Sequence, residues 1–321
     1  MLTGKKISVI VPCYKDEPNI RELLRRLRDV LDSVTKNWEI IYVNDSSPDN
    51  SEVILEEAAK KDNRIVVLNM SRNFGVMSVF RAGLDVASGD AIVIMDGDLQ
   101  DPPEVIPDFI KEWQKGNLVV YGIRRRREET LVRKIGYKVF YKIWKFLADF
   151  DVPLNAGEFA LIDSSVSKII ASFPEHNLFL RGIRSWVGFP QTGILYDRPN
   201  RFAGETTQSF FSYIGWALKA ISSFSIKPLR LISVLAMLTS ISMLLLLSAN
   251  LFLFLMNIDT PKGFLTLLFV LLLGFSMVLI SLAIISEYII HIFSEVKRRP
   301  SYIVKSIFNK NSICKNPSQR D

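Results

Sequence analysis

Two long apolar runs without ionisable side chains constrain this chain more than any other feature. They cover Leu231–Ile258 and Gly263–Ser286, and the short polar insert Asp259–Gly263 joins them. As a helix the first run would extend about 42 Å at ~1.5 Å per residue, and both runs exceed the roughly 20 residues that cross a bilayer. Two buried helices of a soluble bundle are the alternative, but such helices keep a polar stripe that these runs lack. The sequence therefore predicts two transmembrane helices, at 231–258 and 263–288.

Basic residues flank this hairpin on one side. Lys219, Lys227 and Arg230 precede the first run and Lys297–Arg299 follows the second, whereas the connecting loop has only Lys262. By the positive-inside rule, the large N-terminal domain and the C-terminal tail both lie in the cytoplasm. We therefore expect an integral membrane protein.

These signals divide the chain into four parts. We expect a cytoplasmic domain at 1–204, an interfacial helix at 205–228, the transmembrane region at 229–292 and a cytoplasmic basic tail at 293–321. The first residues lack the long apolar core of a signal peptide, so insertion is expected to rely on the hairpin.

The charge balance favours a membrane partner over nucleic acid. The chain has 40 Lys and Arg against 33 Asp and Glu, a net charge of +7, which suits a surface held against anionic headgroups. The basic residues concentrate near the apolar runs and at Arg124–Arg127, so no nucleic-acid interface is expected. Cys13 and Cys314 are too few for a disulfide framework or a cysteine metal site.

Short apolar runs alternate with helix-like segments in the first 125 residues. This alternation predicts a mostly parallel α/β sheet with helices on both faces. The predicted strands are Ile7–Val11, Trp38–Val43, Ile65–Met70, Ala91–Met95 and Leu118–Tyr121. The predicted helices are Asn19–Ser33, Ser51–Lys61, Val76–Ala87 and Pro103–Lys115.

Polar, mostly acidic residues follow four consecutive predicted strands. The segments are Pro12–Glu17, Asn44–Asp49, Ser71–Gly75 and Asp96–Asp101. Ligands of open α/β sheets bind at the carboxyl ends of the strands. One such loop would mean little, because Asp, Asn and Ser also form turns and caps, but four on one edge predict a binding site.

Asp96 and Asp98 lie two residues apart beyond a strand, so in extended geometry their carboxylates project to the same side. Gln100 continues the row. Carboxylate and amide oxygens are hard ligands suited to Mg²⁺ or Mn²⁺ bound together with substrate phosphates. The alternative is a polar loop that caps the helix beginning near Pro103.

The chain resembles glycosyltransferase family 2, and within it the polyprenyl-phosphate glycosyltransferases, a group that includes dolichol-phosphate mannose synthases and bactoprenol glucosyltransferases. The resemblance implies a GT-A type, Rossmann-like fold and covers nearly the whole chain. It is carried by Ile7–Met70, Ser71–Gly75, Asp96–Pro103, Asn155–Phe159, Glu287–Tyr288 and Glu295–Pro300.

This resemblance implies a nucleotide-sugar site and a catalytic group. Asp96 would lie near the ribose and the metal, with Asp98 and Gln100 completing the metal site. Glu158 would face the sugar, with Asp96 and Asp98 as its catalytic partners. The nucleotide site would also use Pro12, Tyr14, Glu17, Asp45 and Arg72.

Two of these roles have alternatives. Arg72 is either a donor ligand or part of a surface ion pair, and Glu158 is either a site residue or a capping carboxylate in a loop. Glu158 would be the general base toward a hydroxyl acceptor. A phosphate acceptor is already largely ionised at neutral pH, so Glu158 would then position the sugar or stabilise positive charge at the anomeric carbon.

A phosphate acceptor needs cations close to the membrane, and a guanidinium fork suits phosphate oxygens. The segment Lys134–Phe150 mixes Lys with aromatic residues, as an interfacial helix does. The arginines expected to bind the acceptor phosphate are Arg124, Arg127 and Arg133, and the resemblance to the family adds Arg198 and Arg201. A solvated charged face is the alternative for this cluster.

The chain departs from the family pattern at two cationic positions. Ala160 stands where relatives commonly carry Arg, and Thr207 where they commonly carry Lys. The donor, the acceptor headgroup or the phosphate clamp would differ accordingly.

The expected function is inverting, metal-dependent hexosyl transfer from a UDP- or GDP-linked sugar to undecaprenyl or dolichyl phosphate, at the cytoplasmic membrane face. The product would serve glycosylation of cell-envelope glycans or lipids. The alternatives are a catalytically silent membrane scaffold and a processive polysaccharide synthase; Arg181–Trp186 lacks the Gln-X-X-Arg-Trp motif of such synthases. Glu287, at the edge of a membrane segment, favours self-association.

Overall fold

The computed structural model describes residues 2–125, 156–175, 179–199, 225–256 and 263–310. The described residues separate into two compact units. The sheet unit contains 2–125, 156–199 with its gap, and 298–310. The helical unit contains 225–256 and 263–297.

The strands of the sheet unit form one mixed sheet, within the described residues, in the order β7-β5-β6-β4-β1-β2-β3-β8. The strands are β1 Ile7–Cys13, β2 Trp38–Asn44, β3 Ile65–Met70, β4 Ala91–Ile94, β5 Val119–Arg124, β6 Ala156–Asp163, β7 Gln191–Tyr196 and β8 Val304–Phe308. Neighbours among β1 to β4 are parallel, and β7 is parallel to β5. Strand β6 is antiparallel to both β4 and β5, and β8 is antiparallel to β3. The predicted mostly parallel α/β sheet is confirmed.

The helices that connect the first five strands begin and end within three residues of their predicted bounds. A 3₁₀ turn, Pro103–Val105, leads into α4. The helices are α1 Glu17–Val34, α2 Ser51–Lys61, α3 Val76–Val86, α4 Ile106–Gln114, α5 Ser164–Ser172, α6 Leu180–Trp186, α7 Lys227–Leu255 and α8 Phe264–Val296.

Burial on both faces explains why the strands read as continuous apolar runs. Every residue of β2 and β3 is buried, as expected for parallel strands covered by helices on both sides. Helix α1 buries one stripe at helical spacing, including Leu23, Leu27 and Leu31. The carboxyl ends of β1 to β4 therefore meet at one edge of a rigid core.

The helical unit contains two helices that are long and apolar enough to cross a membrane. Helix α7 has 29 residues and α8 has 33, whereas the sequence analysis began the first span at 231 and ended the second at 288. The Tyr288 hydroxyl donates to the Ser225 carbonyl at 2.6 Å, which ties α8 to the chain just before α7. The connecting residues 257–262 lie outside the described ranges.

Hydroxyl groups within these apolar helices bond to their own backbones. Thr239 donates to the Leu235 carbonyl at 2.9 Å, and Ser281 donates to the Met277 carbonyl at 2.8 Å. Such bonds satisfy the hydroxyl locally, which an apolar environment requires.

The segment that follows α8 returns to the sheet unit. Strand β8 pairs along β3, and the Ser71 N–H donates to the Ile303 carbonyl at 3.0 Å. The Tyr302 hydroxyl donates to Asp85 at 2.7 Å. The sequence analysis assigned 293–321 to a basic tail and did not predict this strand; residues 311–321 are not among those described.

Asn309 fastens the end of this segment to the α2–β3 connection. Its side-chain amide donates to the carbonyls of Ala59, Asp62 and Ile65. Asn309 has a left-handed backbone with φ of 58°, a conformation that glycine also adopts. An Asn309→Gly substitution therefore removes the amide contacts while leaving the turn intact.

We expect Asn309→Gly to lower the free energy of unfolding of the sheet unit by about 0.5–1.5 kcal/mol, because the carbonyl groups of the α2–β3 connection lose their side-chain donor. Lys305→Ala in the same segment is the matched control, since it removes only the largely exposed ion pair with Glu52, worth about 0–1 kcal/mol. Denaturant unfolding in detergent measures both. Equal effects would contradict a fastening role for Asn309.

Candidate active site

The acidic loop after β4 is pressed against the end of β1. A β-carbon at Gly97 would lie 2.6 Å from the Pro12 carbonyl oxygen, so only glycine allows this approach. Leu99 has a left-handed backbone with φ of 61° and buries its side chain. That conformation costs a non-glycine residue about 1–2 kcal/mol, and core packing of Leu99 offsets it. The Gly97–Pro12 contact and the buried Leu99 side chain therefore set the shape of this loop. The loop carries Asp96, Asp98 and Gln100, which we call the acidic row.

The acidic row is held by its own backbone and by a neighbouring loop. The Gln100 N–H donates to Asp98 Oδ1 at 3.1 Å, and the Gln100 amide donates to the Pro199 carbonyl at 3.2 Å. Burial, together with the charges of Asp101 and Asp98, raises the pKa of Asp96. Negative charge is therefore in excess here, and a cation would relieve it.

The residues present fit a divalent metal held mainly by its substrate. In the described ranges no three His, Cys, Asp or Glu side chains converge on one point as a preformed cluster. The candidate donors are the carboxylates of Asp96 and Asp98 with the Gln100 amide oxygen. Mg²⁺ and Mn²⁺ favour such hard oxygen donors, and Mg²⁺ sites commonly take only one or two protein carboxylates and complete the shell with phosphate oxygens and water.

A buried chain of hydrogen bonds supports the acidic row from below. Asp101 is fully buried, and its Oδ1 accepts from the Tyr196 hydroxyl at 2.6 Å. Arg124 Nε donates to the same hydroxyl oxygen at 3.3 Å. Burial and the Asp101 charge raise the pKa of Tyr196 well above its usual value. The sequence analysis missed Tyr196, because nothing local marks a tyrosine at the end of β7 as a partner of a loop 95 residues away.

Arg124 belongs to this network. Burial opposes its charge, but Tyr196, Asp101 and Asp96 outweigh that effect and raise the pKa of its guanidinium group. A β-carbon at Gly157 would lie 2.7 Å from Arg124 Nη2, so the guanidinium packs directly over that glycine.

The other predicted acceptor ligands separate into different environments. Arg125, which is not among those five arginines, follows Arg124 and is exposed, with an ion pair to Asp197 at 3.2 Å. Arg198 is half-buried just after β7. Arg127, Arg133 and Arg201 lie outside the described residues, as does the predicted interfacial helix 134–150.

The nucleotide-side residues occupy linked loops at the same sheet edge. Asp45 is buried, and its two oxygens accept from the backbone N–H groups of Phe74 and Gly75 at 2.7 and 2.8 Å. Burial raises the pKa of Asp45 despite these bonds. Asp45 therefore anchors the 71–75 loop. A hydrogen bond between Asp45 and a nucleotide base would be made in addition to these two bonds. Arg72 lies over the Phe74 ring, 4.1 Å from its centroid.

The loop after β1 is tied to the loop after β2. The Glu17 carboxylate accepts from the Asn50 N–H at 3.1 Å, and the Lys15 N–H donates to Ser47 Oγ at 2.7 Å. Tyr14 is 40% exposed, and Pro12 is half-buried beside Gly97. Of the predicted nucleotide ligands in this loop, Tyr14 faces solvent and Glu17 holds the neighbouring loop.

Glu158 lies within β6 and is buried, which excludes a surface or capping carboxylate in a loop. Its Oε1 accepts from Arg181 Nε at 2.6 Å. The charge of Glu158 contributes to the raised pKa of Asp96, so the two carboxylates lie in one electrostatic environment. The structure thus brings Glu158 and the acidic row together.

The buried guanidinium group of Arg184 lies on the face of the sheet that carries Ala160. Ala160 pairs with Tyr121 across β5 and β6, and the Arg184 guanidinium lies 5.2 Å from the centre of the Tyr121 ring. Burial lowers the pKa of Arg184 to about 10, with the nearby Glu158 charge opposing that shift. The sequence analysis treated Arg181–Trp186 only as a departure from another motif and assigned neither arginine to the site.

The sheet thus places an acidic loop after its fourth strand and a buried carboxylate, Glu158, on the neighbouring strand β6. Residues 8–170 match the model of the family described as glycosyl transferase family 2. The chain belongs to this family.

Curated relatives match along nearly the whole chain. The uncharacterized glycosyltransferase YkcC of Bacillus subtilis is 40% identical over 302 residues, covering 94% of each chain. The glycosyltransferase sll0501 of Synechocystis, also uncharacterized, is 38% identical and covers 94% of this chain and 96% of its own length. The SfII prophage-derived bactoprenol glucosyl transferase of Shigella flexneri is 36% identical, covering 95% of this chain and 99% of the relative.

Gly97→Ala tests whether the contact with Pro12 sets the position of the acidic row. The added methyl group meets a backbone oxygen that cannot rotate away, so the loop must move. We expect kcat/KM for sugar transfer to fall about 100-fold, the scale of a ~1 Å misplacement. Gly4→Ala, where a β-carbon meets nothing within 4 Å, serves as the control. A Gly97→Ala enzyme with unchanged kcat/KM would show that the loop position is set elsewhere.

Proposed function

We propose that this chain transfers a hexose from a nucleotide sugar to a polyprenyl phosphate at the cytoplasmic face of a bacterial inner membrane. One observation carries the proposal: the acidic loop with its buried carboxylate and two membrane-length apolar helices occur in the same chain. The relative named bactoprenol glucosyl transferase supports it, because it matches over the same length.

The donor in this proposal is a UDP- or GDP-linked sugar. Asp96, Asp98 and the Gln100 amide oxygen would hold Mg²⁺ or Mn²⁺ beside the diphosphate. Such an ion neutralises charge on the leaving diphosphate and thereby stabilises its departure. In this proposal the loops fixed by Asp45 and Glu17 would form the walls for base and ribose, and Arg72 would bind the donor.

The acceptor is the phosphate of a membrane lipid, undecaprenyl or dolichyl phosphate. Its phosphate is already largely ionised at neutral pH, so an oxygen of the acceptor can attack without a base. Attack from the face opposite the leaving diphosphate gives inversion at the anomeric carbon. The exposed Arg125 and half-buried Arg198, with the undescribed Arg127, Arg133 and Arg201, are the proposed phosphate ligands.

Membrane spanning by α7 and α8 would hold this protein at the membrane that contains the acceptor lipid. Their length and apolar composition support it, as do the basic residues on one side of the hairpin. The polyprenyl-phosphate sugar would then supply glycosylation of cell-envelope glycans or lipids. Glu287, within α8, supports self-association of the hairpin.

A donor panel tests the proposal. The purified full-length protein and undecaprenyl phosphate are incubated with UDP- and GDP-linked hexoses and Mg²⁺ or Mn²⁺, and lipid products are identified by mass. We expect one hexose added per lipid phosphate. No product with any donor would support a silent scaffold, and a polymeric product would support a processive synthase; either result rejects the proposal.

Asp98→Asn tests the metal in that assay. The substitution removes one ligand charge with little change in shape, so turnover should fall at least about 100-fold while the thermal midpoint stays the same. Asp108→Asn is the matched control, because Asp108 forms only an exposed ion pair with Lys111. Normal turnover by Asp98→Asn would reject the metal site.

Arg124→Gln and Arg125→Gln should differ in which substrate they affect. Loss of Arg124 disturbs the network under Asp96 and Asp101, so KM for the nucleotide sugar should rise. Loss of the exposed Arg125 should raise mainly the KM for polyprenyl phosphate, because its ion pair with Asp197 is solvent-exposed and a lipid phosphate can compete for the guanidinium. Steady-state titration of each substrate separates the two effects. An identical pattern in both variants would count against an acceptor role for Arg125.

A further inference from the structure

The two faces of β6 contact different surroundings. Phe159 points into the core, where its ring lies 4.7 Å from Phe109 and 5.5 Å from Tyr196 between centroids. Side chains alternate along a strand, so Glu158 and Ala160 lie on the opposite face. Arg181 and Arg184 of helix α6 reach that face.

Arg181 fixes one oxygen of Glu158 and leaves the other open. The bond from Arg181 Nε to Glu158 Oε1 is 2.6 Å long, and the Glu158 side chain is only 6% exposed. Glu158 Oε2 is buried and, among the described residues, accepts no hydrogen bond. A guanidinium bond of this length is charge-assisted and sets the rotation of the carboxylate.

Arg184 repeats this pattern one helical turn later. It is 1% exposed and donates through Nη2 to the Gly157 carbonyl at 3.3 Å. Its Nε and Nη1 atoms are buried and have no acceptor within the described part of the chain. A buried carboxylate oxygen and buried guanidinium donors without partners are destabilising, and such groups persist where a ligand completes them.

We propose that Arg181 is a positioning residue that turns Glu158 so that Oε2 accepts a hydrogen bond from a hydroxyl group of the donor sugar. This inference rests on the proposed function for its nucleotide-sugar donor. Glu158 then recognises the hexose and takes no proton, since the hydroxyl keeps its hydrogen. Arg184, fixed on the backbone beside Glu158, supplies a second positive charge that keeps the carboxylate in place.

The alternative role of Glu158, general base toward the acceptor, makes the opposite prediction for Arg181. A carboxylate released from its guanidinium partner is a better proton acceptor, so loss of Arg181 would preserve or raise kcat. In the recognition role, loss of Arg181 weakens binding of the sugar portion just as loss of the carboxylate does.

The test compares binding of a sugar nucleotide with binding of the bare nucleotide. Full-length wild-type, Glu158→Gln, Arg181→Gln and Arg181→Lys proteins are titrated with UDP-glucose and UDP in the presence of Mn²⁺, by calorimetry without lipid. GDP-mannose and GDP form a second pair. Arg25→Gln is the matched control, because Arg25 forms only exposed ion pairs on α1.

We expect Glu158→Gln and Arg181→Gln each to weaken UDP-glucose binding about 10- to 100-fold, the range for a hydrogen bond to a charged group, with UDP binding unchanged. If GDP-mannose is the donor, the same pattern appears in the second pair. The double variant should be no weaker than either single variant, since the two residues act as one unit. Arg181→Lys should recover part of the loss, because a cation is restored.

Equal losses for the sugar nucleotide and the bare nucleotide in every variant, including Arg181→Lys, would overturn the proposal and assign the pair a structural role. Unchanged sugar-nucleotide affinity with a loss confined to kcat would overturn it in favour of a general base. The lipid assay separates this result from the proposed function. A wild-type protein that shows the binding pattern but glycosylates no polyprenyl phosphate has a different acceptor, and the role of Arg181 stands.

Discussion

The structure depends on a cluster of carboxylates at one edge of the sheet. Asp96 and Asp98 project from a loop whose backbone is pressed on β1 at Gly97, while Asp101 is buried directly beneath. Burial, together with the neighbouring Asp101 and Asp98 charges, raises the pKa of Asp96. Within the fold, Arg124 and Tyr196 offset this negative charge through their hydrogen bonds next to Asp101. A cation bound with a diphosphate would balance it from outside.

The residues that support this edge come from distant parts of the chain. Strand β6 enters between β4 and β5 and carries Glu158, and β7 brings Tyr196 to Asp101. Strand β8 follows the second apolar helix and pairs with β3, which leads into the loop anchored by Asp45. The chain on both sides of the helical unit is therefore part of the transferase sheet.

The electrostatics favour chemistry without a strong base. In the proposed transfer an ionised phosphate acceptor would carry its own negative charge, and a cation at the acidic loop would stabilise the leaving diphosphate. Glu158, held by Arg181 at 2.6 Å, is arranged as a fixed acceptor of hydrogen bonds. Its place in β6 gives it a rigid position, which suits recognition of one sugar hydroxyl more than movement of a proton.

The sequence by itself determined the parallel half of the sheet, its connecting helices, the acidic row and the two apolar helices. These features are local: periodicity, turn residues and hydrophobic runs are each written within about 30 residues. It also identified the family, because the Asp96–Pro103 block is contiguous.

Only the tertiary structure decided which neighbouring arginine joins the site. Arg124 and Arg125 are equivalent as sequence, yet pleating turns one toward Asp101 and the other to solvent. The sequence analysis missed the roles of Tyr196, Arg181 and β8 for a related reason. Their roles arise from contacts across 95, 23 and more than 200 residues, and packing, which no local pattern encodes, brings those segments together.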